Sequence, residues 1–172
     1  MTASIQYAQH IQSAGLPDEE TIKSRLNDYF ILFKPRDIVS GDFYWVSTKG
    51  KSTIVVAADC TGHGVPGAFM SMLGVSLLNE IVASNDRFTA ADILNQLRED
   101  IKQTLSQTGK RDEAKDGIDM SLCIIDSGDL SAQFAGAYNP LCLVSNNEMI
   151  VYKGDKMPIG IHFTKEYHFS NT

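Results

Sequence analysis

Two aspartates sit where apolar stretches meet small residues: Asp42 in SGDFYWVS and Asp59 in IVVAADCTGHG. A turn over Thr48, Lys49, Gly50 and Lys51 would fold the two stretches into a hairpin that pairs Ser47 with Ser52. On that register Asp42 lies opposite Ala57, and Asp59 falls two positions further along the same face. Diagonal neighbours of this kind have backbones about 7–8 Å apart, so their carboxylates can converge. At about 6 Å and an effective dielectric near 20, two carboxylates repel by roughly 3 kcal/mol. A cation removes that cost, and oxygen donors with no histidine or cysteine at ligand spacing suit Mg²⁺ or Mn²⁺ better than zinc. A purely structural reading also stands, with Asp42 ending a turn and Asp59 accepting hydrogen bonds from the glycine-rich loop. Thr61-Gly62-His63-Gly64 reads as an anion nest, a loop approaching a ligand, or a sharp turn into a helix. His63 is then a hydrogen-bonded loop residue or a catalyst.

The elements that position these residues follow from periodicity. Ile5, Ala8, Gln12 and Gly15 form the stripe of a short N-terminal helix, closed by Leu16 and Pro17. That stripe reads as an amphipathic start or as a connector that pairs with a second copy. EETIKSRLNDYF is helix or irregular approach, and Phe30 to Phe33 a short strand stopped by Pro35. Residues 66–82 are helical, with Pro66 in the first turn and Phe69, Met70, Leu73, Leu77, Leu78 and Ile81 apolar. Thr89 and Asp92 fit a capping pair for a helix whose face carries Ile93, Leu97, Ile101 and Leu105. TGKRDEAKDG, residues 108–117, reads as a mobile loop, and MSLCIID, SAQFAGAY, LCLVSNN and EMIVYKG as a strand meander. Strands before and after two helices predict an α+β sandwich.

The bulk numbers narrow the function classes. A chain of 172 residues with 43% hydrophobic and 21% charged residues supports one domain with a core. A net charge of −6 argues against nucleic acid, which needs a basic face. Cys60, Cys123 and Cys142 are too few and scattered for a disulfide framework, which suggests a reducing compartment. The N-terminus has no signal-peptide pattern, and no run of about 18 apolar residues stands out. The expectation is a soluble, cytoplasmic protein without membrane insertion.

VSGDFYW (39–45), VVAADCTGHGVPGAFM (55–70), FAGAYNPLCLV (134–144) and GDKMPIGI (154–161) together resemble the SpoIIE/RsbU-type branch of the bacterial PPM metal-dependent serine/threonine phosphatases. YAQHIQSAGLP resembles the connector helix that precedes this domain, giving a division into residues 1–17, the connector, and 18–172, the phosphatase domain. The resemblance implies a β-sandwich flanked by helices in α-β-β-α layers, with a two-metal centre of Mn²⁺ or Mg²⁺ at one end. Asp42 would bind one metal, Asp59 would bridge both, and the backbone carbonyl of Cys60 would help hold the ion. Gly41, Gly62 and Gly64 would give the loop room around the metals, and His63 would stand where an acid role has been assigned in the wider superfamily. Lys34 or Arg36, shortly before Asp42, could meet the substrate phosphate or be a solvated pair beside a proline. The implied substrate is a phosphorylated STAS-domain anti-sigma-factor antagonist, the implied process signal transduction in sigma-factor regulation, and an added expectation a homodimer paired through the N-terminal helix.

The family pattern continues with an Asp-Gly metal motif and a last strand carrying another Asp, so the resemblance reads this chain as incomplete at its C-terminus, with little turnover of its own. Asp119, in DGIDMSL, is then an extra ligand or a strand-opening residue. A second reading is a pseudophosphatase, a binding module without catalysis.

Overall fold

The computed structural model describes residues 2–110, 115–162 and 167–172. Helix α1 spans Thr2–Gly15 and α2 Glu19–Lys23; strands β1, Phe43–Lys49, and β2, Ser52–Cys60, follow as a hairpin. Helices α3, Gly64–Ser84, and α4, Ala90–Thr104, come next. The rest is strand: β3 Gly117–Asp126, β4 Ser131–Ala137, β5 Leu141–Ser145, β6 Glu148–Tyr152 and β7 Ile159–Gly160. The order β1-β2-β3-β4 is antiparallel throughout, and β7 pairs with the start of β3.

Alternation decides which side of this sheet is core. On β2, Ile54, Val56, Ala58 and Cys60 are buried, and on β3 Ile118, Met120, Leu122 and Ile124 are buried. With a side-chain period of two, those positions face one way and their neighbours the other. The buried face meets α3 and α4, which contribute Val75, Leu78, Ile93, Leu94, Leu97 and Ile101 to one cluster. Trp45 on β1 is fixed to α3 by its indole N–H, which donates to Asn79 Oδ1 at 3.0 Å. The α+β reading therefore holds: the described residues form a helix layer on a five-stranded sheet, with a separate two-stranded sheet.

The capping pair is present in full. Thr89 Oγ1 accepts from the Asp92 backbone N–H at 3.2 Å, and the Thr89 N–H donates to Asp92 Oδ2 at 2.9 Å. Further along α4, the buried Arg98 donates from Nε to Gly160 O at 3.0 Å and from Nη1 to Tyr167 O at 2.7 Å. Asn95 accepts the Phe169 N–H at 2.8 Å. These bonds hold β7 and residues 167–169 against α4.

Several expectations need correction. Residues 30–33 are not a strand: the segment finds no neighbouring strand, and Phe30 is 90% exposed. The meander is broken, because β5 and β6 pair only with each other. Of the loop read over residues 108–117, residues 111–114 lie outside the described ones, and Gly117 already opens β3. Helix α3, at 21 residues and a mean hydropathy of 1.4, is long and apolar enough to cross a membrane by length and composition. Half of that stretch is buried within the fold, as in a core helix, although Phe69 points to solvent. The α1 stripe lies on α3: Gln12 is buried, and a Cβ on Gly15 would stand 2.8 Å from Met72 Cε. Tyr7 and Ile11 on the same helix are exposed.

Candidate metal centre

The core alternation that buries Ala58 and Cys60 turns Asp59 to the opposite face of β2, and the same alternation on β3 turns Asp119 out between Ile118 and Met120. Asp59 and Asp119 are direct cross-strand partners. On the other side of β2, Phe43 faces Ala58, so Asp42, one step earlier, falls opposite Asp59. Three carboxylates thus stand in a row: Asp42 just before β1, Asp59 on β2 and Asp119 on β3.

The register differs from the expected one. Lys49, not Ser47, pairs with Ser52, because Gly50 at φ +61° allows a two-residue turn. The shift is two residues, so the parity survives, and Asp42, just before β1, comes level with Asp59 rather than diagonal to it, close enough for the two carboxyls to share a hydrogen bond. Partial burial, the charge of Asp59 and a hydrogen bond shared with the Asp59 carboxyl all push the Asp42 pKa above its ordinary 3.8. Burial and the charge of Asp59 likewise raise Asp119. Adjacent carboxyls that raise one another's cost of ionisation form a donor set short of positive charge. It suits a hard divalent ion, which needs only one or two carboxylates and fills its remaining positions with water. Among the described residues, no group of three or more His, Cys, Asp or Glu side chains closes into a cation cage.

The loop after Asp59 is held by bonds that the sequence did not announce. The Thr61 N–H donates to Gly117 O at 2.9 Å, and Thr61 Oγ1 accepts the Gly117 N–H at 3.1 Å. This clip ties the loop to the foot of β3, two residues from Asp119. Gly62 has φ +89° and Gly64 φ +61°, conformations that side chains resist. At Gly41 the constraint is contact: a Cβ there would come within 2.9 Å of Gly62 O and 3.2 Å of Cys60 O. Gly67, on the first turns of α3, completes the junction, since its Cβ would meet Gly62 O at 2.7 Å and Gly41 Cα at 3.0 Å. The one sign of Gly67 in the sequence is its place directly after Pro66. The Cys60 side chain is buried and, through burial and then the nearby Asp59 and Asp42 charges, held strongly to its protonated form.

The remaining candidates lie around this row. His63 occupies the N-cap of α3 without a side-chain cap bond, and its side chain is 68% exposed. Its Nδ1 lies 3.4 Å from Asp37 Oδ2, so its partner is a residue that sequence reasoning missed. Lys34 lines a groove of about 490 Å³ together with Asp42, Asp59, Phe30, Tyr44 and Val55. Arg36 is exposed and is not part of that lining.

The sequence model of the family described as stage II sporulation protein E (SpoIIE) matches residues 49–170. The chain belongs to the SpoIIE family. The SpoIIE match takes in Asp59 and Asp119 and begins after Asp42. The SiaA-PP2C domain of Pseudomonas aeruginosa is 30% identical and superposes with a TM-score of 0.84 over 99% of this chain and 65% of that one. The PP2C phosphatase domain of SpoIIE from Bacillus subtilis, solved with a fragment of its regulatory domain, is 22% identical, with a TM-score of 0.60 over 78% of this chain and 37% of that one. The RsbU and RsbW domains of Rv1364c from Mycobacterium tuberculosis are 19% identical, with a TM-score of 0.57 over 80% and 36%. The last two likenesses concern the fold alone. The chain thus spans a little under two thirds of the SiaA domain. No curated protein matches it.

Proposed function

We propose that this SpoIIE-family chain belongs to a metal-dependent serine/threonine protein phosphatase, with its connector in residues 1–17 and its phosphatase domain from residue 18. The observation that carries the reading is the row Asp42, Asp59 and Asp119 on the face of the sheet away from the helices. In this reading Asp42 and Asp59 hold Mn²⁺ or Mg²⁺ with the Cys60 carbonyl, and Asp119 adds a third carboxylate from β3. Such ions, when bound, neutralise phosphoryl oxygens and make water acidic enough to attack phosphorus. Thr61 keeps the loop in place, Lys34 meets the substrate phosphate from the rim of the groove, and His63, oriented by Asp37, stands near the leaving oxygen. The substrate is a phosphoserine or phosphothreonine on a cytoplasmic signalling protein, a STAS-domain anti-sigma-factor antagonist in sigma-factor regulation. Pairing of two copies through α1 would use Tyr7 and Ile11.

Calorimetric titration with Mn²⁺, alongside release of phosphate from a phosphoserine STAS protein, tests this reading. Asp59→Asn is expected to abolish Mn²⁺ binding and to cut hydrolysis by on the order of a hundredfold or more. Equal metal affinity in that variant, or hydrolysis that persists in excess chelator, would reject the assignment. One observation favours a pseudophosphatase instead: although Asp119 stands beside the pair, no group of three or more His, Cys, Asp or Glu side chains among the described residues is arranged to hold an ion. Binding of the phosphoprotein that is indifferent to chelator, without phosphate release, would select that second reading.

A further inference from the structure

Gln12 is a buried amide on α1, 7% exposed, and both its amide hydrogens and its oxygen are engaged by residues far away in sequence. Its Nε2 donates to Ser40 O at 2.6 Å and to Ser71 Oγ on α3 at 2.7 Å, while its Oε1 accepts the Ser40 N–H at 2.9 Å. Gln12 thus exchanges both backbone bonds with Ser40, as a neighbouring strand residue would. Ser71 closes the arrangement by donating to Ala68 O at 2.9 Å.

Ser40 stands two residues before Asp42, and the residue between them is Gly41. That glycine is pressed against Gly62 O, Cys60 O and Gly67 Cα, the last 3.6 Å from where its Cβ would be. A displacement of Ser40 has no slack to absorb it there, so it reaches Asp42. The same contacts belong to the loop that follows Asp59. The amide therefore fixes the entry of β1 relative to the loop that carries the other half of the carboxylate pair.

We propose that Gln12 is a positioning residue for the metal centre: its amide clip on Ser40 and Ser71 sets how Asp42 approaches Asp59, and so sets divalent-ion affinity. The proposal rests on the reading of the carboxylate row as a cation site. Gln12→Met keeps the length of the side chain and removes all three bonds. Mn²⁺ titrated into the metal-free protein should bind this variant about tenfold more weakly, the scale of one or two buried hydrogen bonds. Thr89→Ala, which removes the remote cap of α4, serves as the comparison: it should lower the melting temperature and leave Mn²⁺ affinity unchanged. Ser71→Ala, a milder change, should weaken binding in the same direction and decides the matter if Gln12→Met does not fold.

Wild-type Mn²⁺ affinity in the folded Gln12→Met protein, or in Ser71→Ala if only that variant folds, would overturn the role of Gln12. So would an equal loss of affinity in Thr89→Ala, which would show that affinity follows stability alone. If the unsubstituted chain binds no Mn²⁺ and Asp59→Asn behaves identically, the cation site itself fails and the proposal falls with it. Loss of binding in Asp59→Asn with full binding in Gln12→Met rejects only the clip.

Discussion

At the scale of single residues, the carboxylate row ties stability to pH in an unusual direction. A carboxyl whose folded pKa lies above its unfolded value stabilises the fold at low pH, and that contribution fades as pH rises through the folded pKa. Asp42 and Asp119 are of this kind, each raised above 3.8. Asp92 is the reverse: its bonds to Thr89 lower its pKa, so its contribution is lost as pH falls. Without metal, Asp42→Asn should therefore gain stability over the parent as pH climbs from just above 3.8 towards neutrality, by on the order of 0.2–1 kcal/mol. Melting curves of both proteins in chelator check this, and saturating Mn²⁺ should reverse the ranking by stabilising only the parent. The shared face of Asp42 and Asp59 was legible because alternation of apolar residues fixes parity. Their direct opposition was not, since it depends on the backbone angle of Gly50. Gln12 was visible as a polar residue on an apolar stripe, but its partner Ser40 lies 28 positions away, beyond the reach of local pattern.

Among the elements, α4 was the most readable, because caps and the apolar face are both local properties. Thr89→Ala should cost about 1 kcal/mol and lower the melting temperature by roughly 2–4 °C for a chain of this size, as a thermal scan would show. Strands were readable as segments but not as partners. FILF has the composition of a strand and remains unpaired, with Phe33 edge-on to Tyr44 at 5.5 Å between ring centroids. LCLVS and EMIVY are strands, but in a sheet of their own. A strand exists only with a neighbour, and neighbours are chosen by long-range packing. The two-residue β7 was too short to leave a pattern.

Across the whole molecule, the α+β class and the family resemblance were legible from ordered motifs, whereas the placing of β5 and β6 in a sheet of their own was not. The β5–β6 hairpin has most of both faces open: Val144 is 69% exposed and its partner Met149 65%. Two-stranded sheets are marginal alone, and open apolar edges attract other chains. Light scattering should show concentration-dependent association that Val144→Lys reduces, while its thermal stability stays within about 0.5 kcal/mol of the parent, as for other surface substitutions.

The two sides of β2 and β3 have separate duties. One carries Ile54, Val56, Met120 and Leu122; the other carries Asp59 and Asp119. Mutational drift that adjusts heat resistance can accumulate on the first side while the second stays untouched, so durability and chemistry in this molecule are free to evolve on different clocks.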